Sequence, residues 1–131
     1  MSSGFSTYLS NKVLLHALGK TSFTMPSTLY VSLFTTAPTA AGGGVEVSGS
    51  NYARATLAPS ALTVTNNVAT TNADITFATP SGSWNTVVAA AIFDASTSGN
   101  MLAFGDLSVS KTIAQDDIIK FASGNLTITL S

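Results

Sequence analysis

The sequence has no cysteine, a single histidine and a single tryptophan, and only 8% of its 131 residues are charged. Each scarcity excludes a kind of chemistry. Without cysteine there is no disulfide framework, no thiolate nucleophile and no thiolate metal ligand. A Ser–His–acid triad needs an imidazole between nucleophile and carboxylate. The one candidate, His16, sits in a stretch with no acidic residue in its first 45 positions, and reads as a packing or surface histidine. A zinc site needs several His, Cys or carboxylate ligands at matched spacing, which one histidine and six scattered acids do not supply. The five cations, Lys12, Lys20, Arg54, Lys111 and Lys120, are equally scattered, and the net charge is −1. They cannot form the basic stripe that binds nucleic acid or an anionic membrane surface. The longest wholly apolar run, Val87 to Phe93, is far short of the ~20 residues a membrane helix needs. The opening MSSGFSTYLSNK has no early cation followed by an apolar block, so no secretory signal is expected.

The rest of the composition describes a folded chain. Hydrophobic residues make up 45% and the mean hydropathy is +0.38. The length fits one domain that buries a core of its own. Serine and threonine together exceed a quarter of the sequence. Such a hydroxyl-rich, near-neutral surface gives little repulsion between copies. It fits an ordinary β protein and equally a protein that sits in an assembly.

One helix is expected. From Phe5 to Leu18 the apolar residues Phe5, Leu9, Val13 and Ala17 recur every four positions, with Leu14 and Leu18 beside them and Tyr8 and Leu15 widening the stripe. Ser2 or Ser3 could cap its start and Gly19 could end it. After Gly19 the period changes to that of strands. Thr28–Thr35 alternates, with Leu29, Val31 and Leu33 on one face and Tyr30, Ser32 and Phe34 on the other. Ala40–Ser50, with Gly42-Gly43-Gly44, reads as a flexible loop around Glu46. Further strands are expected at Tyr52–Ala58, Leu62–Thr65, Val68–Thr71, Asp74–Phe77, Thr86–Phe93, Met101–Leu107, Lys111–Ile113, Ile118–Ala122 and Leu126–Leu130. Asn66-Asn67 suits a two-residue hairpin turn, because asparagine tolerates positive φ. Ser123-Gly124 or Gly124-Asn125 supplies a tight turn between the last two. The pattern describes an all-β protein: a single β-sandwich, with a jelly roll among the topologies that fit, carrying one N-terminal α-helix. The helix occupies residues 1–20, packed on or extending from the sandwich of residues 21–131.

Motifs that resemble functional sites read better as structure. Asp94-Ala-Ser96-Thr-Ser98-Gly99 begins like a calcium loop, but its twelfth position, which should be glutamate, is Gly105. A turn in which Asp94 accepts from nearby amides is expected instead. Asp116-Asp117 is the only acidic pair, and neighbours on a strand point to opposite faces, so it reads as a turn cap. The glycine run lacks the lysine of a phosphate loop. Trp84 could stack on a sugar or close the end of the sandwich. No catalytic, cofactor-binding or metal-binding residue is assigned.

Two segments carry a family resemblance. The first is LYVSLFTTAPTAAGGGVEVSGSNYAR, from Leu29 to Arg54. The second, from Ala73 to Leu130, holds ADITF, TPSGSWNTV, AIFDASTSGNMLAFGDL and KFASGNLTITL. In this order and spacing they resemble a family of small tailed-bacteriophage virion structural proteins, often labelled phage tail fibre proteins. The resemblance implies a non-enzymatic virion component, without cofactors, made in the bacterial host cytoplasm. It implies partners among the phage major capsid protein or tail components, and a homo-oligomer, trimer or dimer, with neither nucleic acid nor membrane. A compact domain without a repetitive shaft favours a capsid decoration (cement) protein over a short tail or head fibre subunit. A carbohydrate-binding module using Trp84 is the third reading. The residues expected at assembly contacts are Phe5, Leu9, Arg54 and Trp84, with Arg54 pairing Glu46 across the loop.

Overall fold

The computed structural model describes residues 4–129. It is mostly antiparallel β, with one α-helix, in a sandwich-like arrangement. The large sheet is built on three long strands: β2 (Leu29–Thr36), β8 (Asn85–Phe93) and β9 (Met101–Ile113). Its order is β1-β9-β8-β2-β3, with β1 at Gly4–Phe5 and β3 at Val45–Glu46. β4 (Ala55–Leu57) pairs with the first half of β2. Two small sheets complete the fold. One joins β5 (Leu62–Thr65), β6 (Val68–Thr71) and β11 (Thr127–Thr129); the other joins β7 (Ile75–Thr76) and β10 (Lys120–Phe121).

Strand alternation explains how β2 serves two layers. Val31 and Leu33 face a main core with Leu57, Ile75, Phe77, Trp84, Val87, Ile92, Leu102, Ile113 and Ile119. Leu62, Phe121, Leu126 and Ile128 of the small-sheet side pack onto the same cluster. Phe34 points the other way and joins Ala89, Ala91, Met101 and Phe104. The large sheet is therefore buried on both faces, which is why β8 reads as a continuous apolar run instead of alternating.

The chain makes the Asn66-Asn67 hairpin as expected. Both asparagines adopt positive φ, 52° and 69°, and Thr65 faces Val68 across the turn. The expected strands Met101–Leu107 and Lys111–Ile113 are one strand with a large bulge. Ala89 faces Asp106 and Val87 faces Lys111, so Leu107–Ser110 oppose Val88 alone. The turn at Gly124 exists, but the strands on either side of it do not pair with each other. β10 pairs β7, and β11 pairs β6. Leu130, like Ser2 and Ser3, lies outside the described residues.

The helix α1 spans Thr7–Ala17, shorter than the periodicity implied. Gly4 and Phe5 are held as β1 against Phe104 and Ala103, so helical backbone starts only after them. Ser6 is the cap: its Oγ accepts from the Leu9 amide at 3.1 Å, while its own N–H donates to the Leu102 carbonyl at 2.9 Å. Gly19 follows the helix with φ of 76°, as expected. Only part of the apolar stripe is used. Tyr8 and Leu9 pack on the main core, whereas Leu14, Leu15 and Leu18 are exposed. Phe5→Ala with Leu9→Ala should lower stability by about 2–4 kcal/mol together, below the fully buried values because both side chains are half-buried. An unchanged melting temperature would show that the helix contributes nothing to the body.

Candidate functional site: a charged clamp and the assembly surfaces

The densest polar site lies where β3, the segment before β4 and the turn after β8 converge. The loop carrying it is not slack. Thr39 and Gly42 form a bridge. Gly44, at φ of 75°, lies so close to the Thr36 carbonyl that an added Cβ would sit 2.6 Å from it. This brings the chain back alongside β2 as β3 and aims Glu46 at Arg54. Arg54 grips Glu46 with two parallel bonds, Nε to Oε2 at 2.9 Å and Nη2 to Oε1 at 2.8 Å. Its Nη1 donates to the carbonyls of Ala95 and Ser98, at 2.9 and 2.8 Å. The guanidinium lies over the Phe93 ring, 3.8 Å from its centroid. Hydrogen bonding to Glu46 raises the Arg54 pKa further, so the charge is permanent.

Tyr52 completes the clamp. Its hydroxyl donates to Glu46 Oε2 at 2.7 Å and accepts from the Leu33 amide at 3.0 Å. Burial first, then the bond to Glu46, pushes its pKa well above the usual tyrosine range. The hydroxyl therefore keeps its proton and acts as a fixed strut.

The neighbouring residues are also engaged in holding the fold. Ser50 and Asn51 turn at positive φ. The Ser50 carbonyl accepts the Trp84 indole N–H at 2.9 Å, and Asn51 Nδ2 reaches the Thr79 carbonyl at 2.8 Å. Ser50 to Arg54 is thus a structural staple that ties four distant segments together. The turn after β8 closes as expected: Asp94 accepts from the Asn100 amide at 2.8 Å and from its side chain at 3.0 Å. Gly99 is required there, since a Cβ would lie 2.7 Å from both Asp94 Oδ1 and Ala95 Cβ. Asp117 likewise caps its turn by accepting from the Ala114 amide at 2.9 Å.

The four residues expected at assembly contacts fall in different places. Glu46 and Arg54 pair as anticipated, but the pair faces inward: the Arg54 side chain is only 7% exposed. Trp84 is 1% exposed and meets Tyr52 edge-on at 5.2 Å. A ring so enclosed has no face for a sugar or a neighbour, which corrects the sugar-stacking and assembly roles; it packs inside the sandwich, the other role the sequence allowed. Phe5 and Leu9 are half-buried at the junction of helix and sheet. Sequence reasoning missed Tyr52 and Phe93 as members of the clamp. It had no signal for the two turn carbonyls, since any residue offers one.

A family model described as podophage GP4 fiber I protein gp80 matches residues 4–129. The chain belongs to this family. It is thereby a phage virion structural protein, as the motifs around Arg54, Trp84 and Asp94 implied. No curated protein matches the chain. This member of the gp80 fibre family presents an open groove, free strand edges and exposed apolar side chains. An open groove of about 890 Å³ runs between the large sheet and the small sheets, lined by Val87, Leu107, Ile113, Phe121, Leu126 and Ile128 among others. Among the described residues, β9 beyond Phe104 has no partner on its outer edge, and neither has β11. Large apolar side chains stand out at Leu14, Leu18, Met25, Val109 and Ile118.

Proposed function

We propose that the chain is a non-enzymatic structural subunit of a phage fibre, which associates with copies of itself and with neighbouring virion proteins. The observation that carries this reading is the family match over residues 4–129, to a model whose description is that of a fibre protein. The chemistry supports it. Among the described residues, the one buried ion pair is spent on holding turns together. The exposed apolar residues and free strand edges suit protein–protein contact, including strand pairing with a neighbour.

A second reading, a capsid decoration protein on the major capsid lattice, is favoured by the compact body and the lack of a repetitive shaft in the sequence. Copy number separates the two. A decoration protein recurs at every equivalent position of a symmetric shell and should rival the major capsid protein. A fibre subunit attaches at a vertex or ring and should be far scarcer. Quantitative mass spectrometry of purified virions is expected to give a ratio far below that of the major capsid protein. A ratio near one would reject the fibre reading in favour of decoration.

A further inference from the structure

The exposed apolar residues of the helix belong to an arm that leaves and rejoins the same end of the large sheet. It leaves at Ser6, bonded to the Leu102 carbonyl, and rejoins at Leu29–Tyr30, where Tyr30 faces Phe93. The arm is ordered. Lys20 and Thr21 amides bond the Leu15 carbonyl at 2.8 and 3.1 Å, and the Phe23 amide donates to His16 Nδ1 at 3.1 Å. It presents Leu14, Leu18 and Met25 at 56%, 71% and 84% exposure. Its charges are Lys12 and Lys20, with no acid among residues 1–45.

The opposite end of the sheet carries the complementary surface. β9 ends at Ile113, which faces Asn85, and the chain turns through Asp116-Asp117-Ile118. Ile118 is 76% exposed and directly follows the two aspartates. The turn is fixed by Asp116 N–H to the Pro80 carbonyl at 3.0 Å and by the Asp117 cap. Of the nearby cations, Lys120 lies 3.6 Å from Asp74, and Lys111 sits back on β9 beside the bulge. At the usual rise per residue the nine residues of β8 separate the two ends by roughly 26 Å, and the arm folds back on Leu15 at Lys20 and Thr21, so its reach is that of its 11-residue helix, about 16 Å. One copy cannot bring its own arm to its own turn.

We propose that the arm of one copy docks on the Asp116–Ile118 turn of the next. The apolar side chains Leu14, Leu18 and Met25 cover Ile118, and Lys20 faces Asp116 and Asp117, while Lys12 stays over the Tyr8 ring on the other side of the helix. An arm-to-arm contact would instead set lysine against lysine. Such a contact is heterologous, so copies join end to end along the direction of β9, in a ring if the rotation closes and a filament if it does not. This rests on the reading that the chain associates with itself.

The test is light scattering and sedimentation of the purified full chain. Wild type should form oligomers larger than a dimer, or a closed ring. Leu14→Ser/Leu18→Ser and Ile118→Ser should each weaken association by about tenfold or more with melting curves unchanged, since all three side chains are exposed. Mixing the two variants leaves one intact arm and one intact turn, so it should restore a one-to-one dimer and nothing larger. A turn variant that keeps wild-type size would overturn the proposal, because an arm-to-arm pair loses only the arm variant. So would a wild-type chain that stays monomeric. Neither result bears on the virion copy number, which tests the fibre reading separately.

Discussion

Arg54→Met should cost the protein about 3 kcal/mol, toward the lower end of the range for breaking a buried ion pair because Glu46 retains some contact with water. The change leaves the Glu46 carboxylate with the Tyr52 hydroxyl alone. It also strips the donors from the Ala95 and Ser98 carbonyls, so the turn after β8 loses its tie to the segment before β4. Arg54→Lys should recover little of this. An ammonium restores the charge but cannot fork onto Glu46, span two carbonyls and lie flat on Phe93 at once. Urea unfolding at neutral pH measures both. A loss below about 1 kcal/mol for the methionine variant, the size of an exposed surface pair, would show that the clamp is ornamental.

Trp84→Ala carries the other large effect, about 3–5 kcal/mol for removal of a fully buried tryptophan. Two losses combine. The cavity opens beneath Tyr52, whose ring meets Trp84 edge-on, and the Ser50 carbonyl loses its indole donor. Trp84→Phe separates them: it fills most of the volume but cannot donate, and because the Ser50 carbonyl keeps the Ser81 amide at 3.0 Å, only about 0.5–1.5 kcal/mol should be lost with the indole bond. If the phenylalanine variant were as unstable as alanine, the hydrogen bond and not the packing would dominate. Chemical unfolding followed by circular dichroism serves here, because both changes remove the only tryptophan.

How much of this was readable beforehand depended on the range of the interaction. The Asn66-Asn67 hairpin, the capping of Asp94 and Asp117, and the apolar β8 follow from residues within a few positions of each other. The Glu46–Arg54 pair was legible because only seven residues separate two rare charges. The helix start was misplaced for a reason sequence periodicity cannot see. Phe5 fits the helical stripe, but its backbone is claimed by Ala103, 98 positions away. The bulge in β9 was read as a gap because Ser108 and Ser110 break the apolar pattern, although the strand continues past them to pair with Asn85 through Val87. The glycine run misled in the same way. Three glycines suggest slack, but Gly44 is there to let the chain pass against the Thr36 carbonyl. The partners of the last strands, β7 for β10 and β6 for β11, depend on core geometry that no local turn encodes.

The order of strands in the large sheet sets a timetable for synthesis. β2 lies between β8 on one side and β3 and β4 on the other, and β1 pairs only with β9. On a ribosome moving at about 5–20 residues per second, β1 waits on the order of ten seconds for Ala103 and Phe104. During that interval β2 has β3 and β4 for company but neither β8 nor the core beyond it. Its apolar residues are exposed to other nascent chains. The nearly uncharged sequence gives little electrostatic protection in that window. Slow folding and early aggregation are therefore the natural hazards of this topology, and a chaperone that shields Leu29–Thr36 until β9 emerges would act at its most vulnerable step.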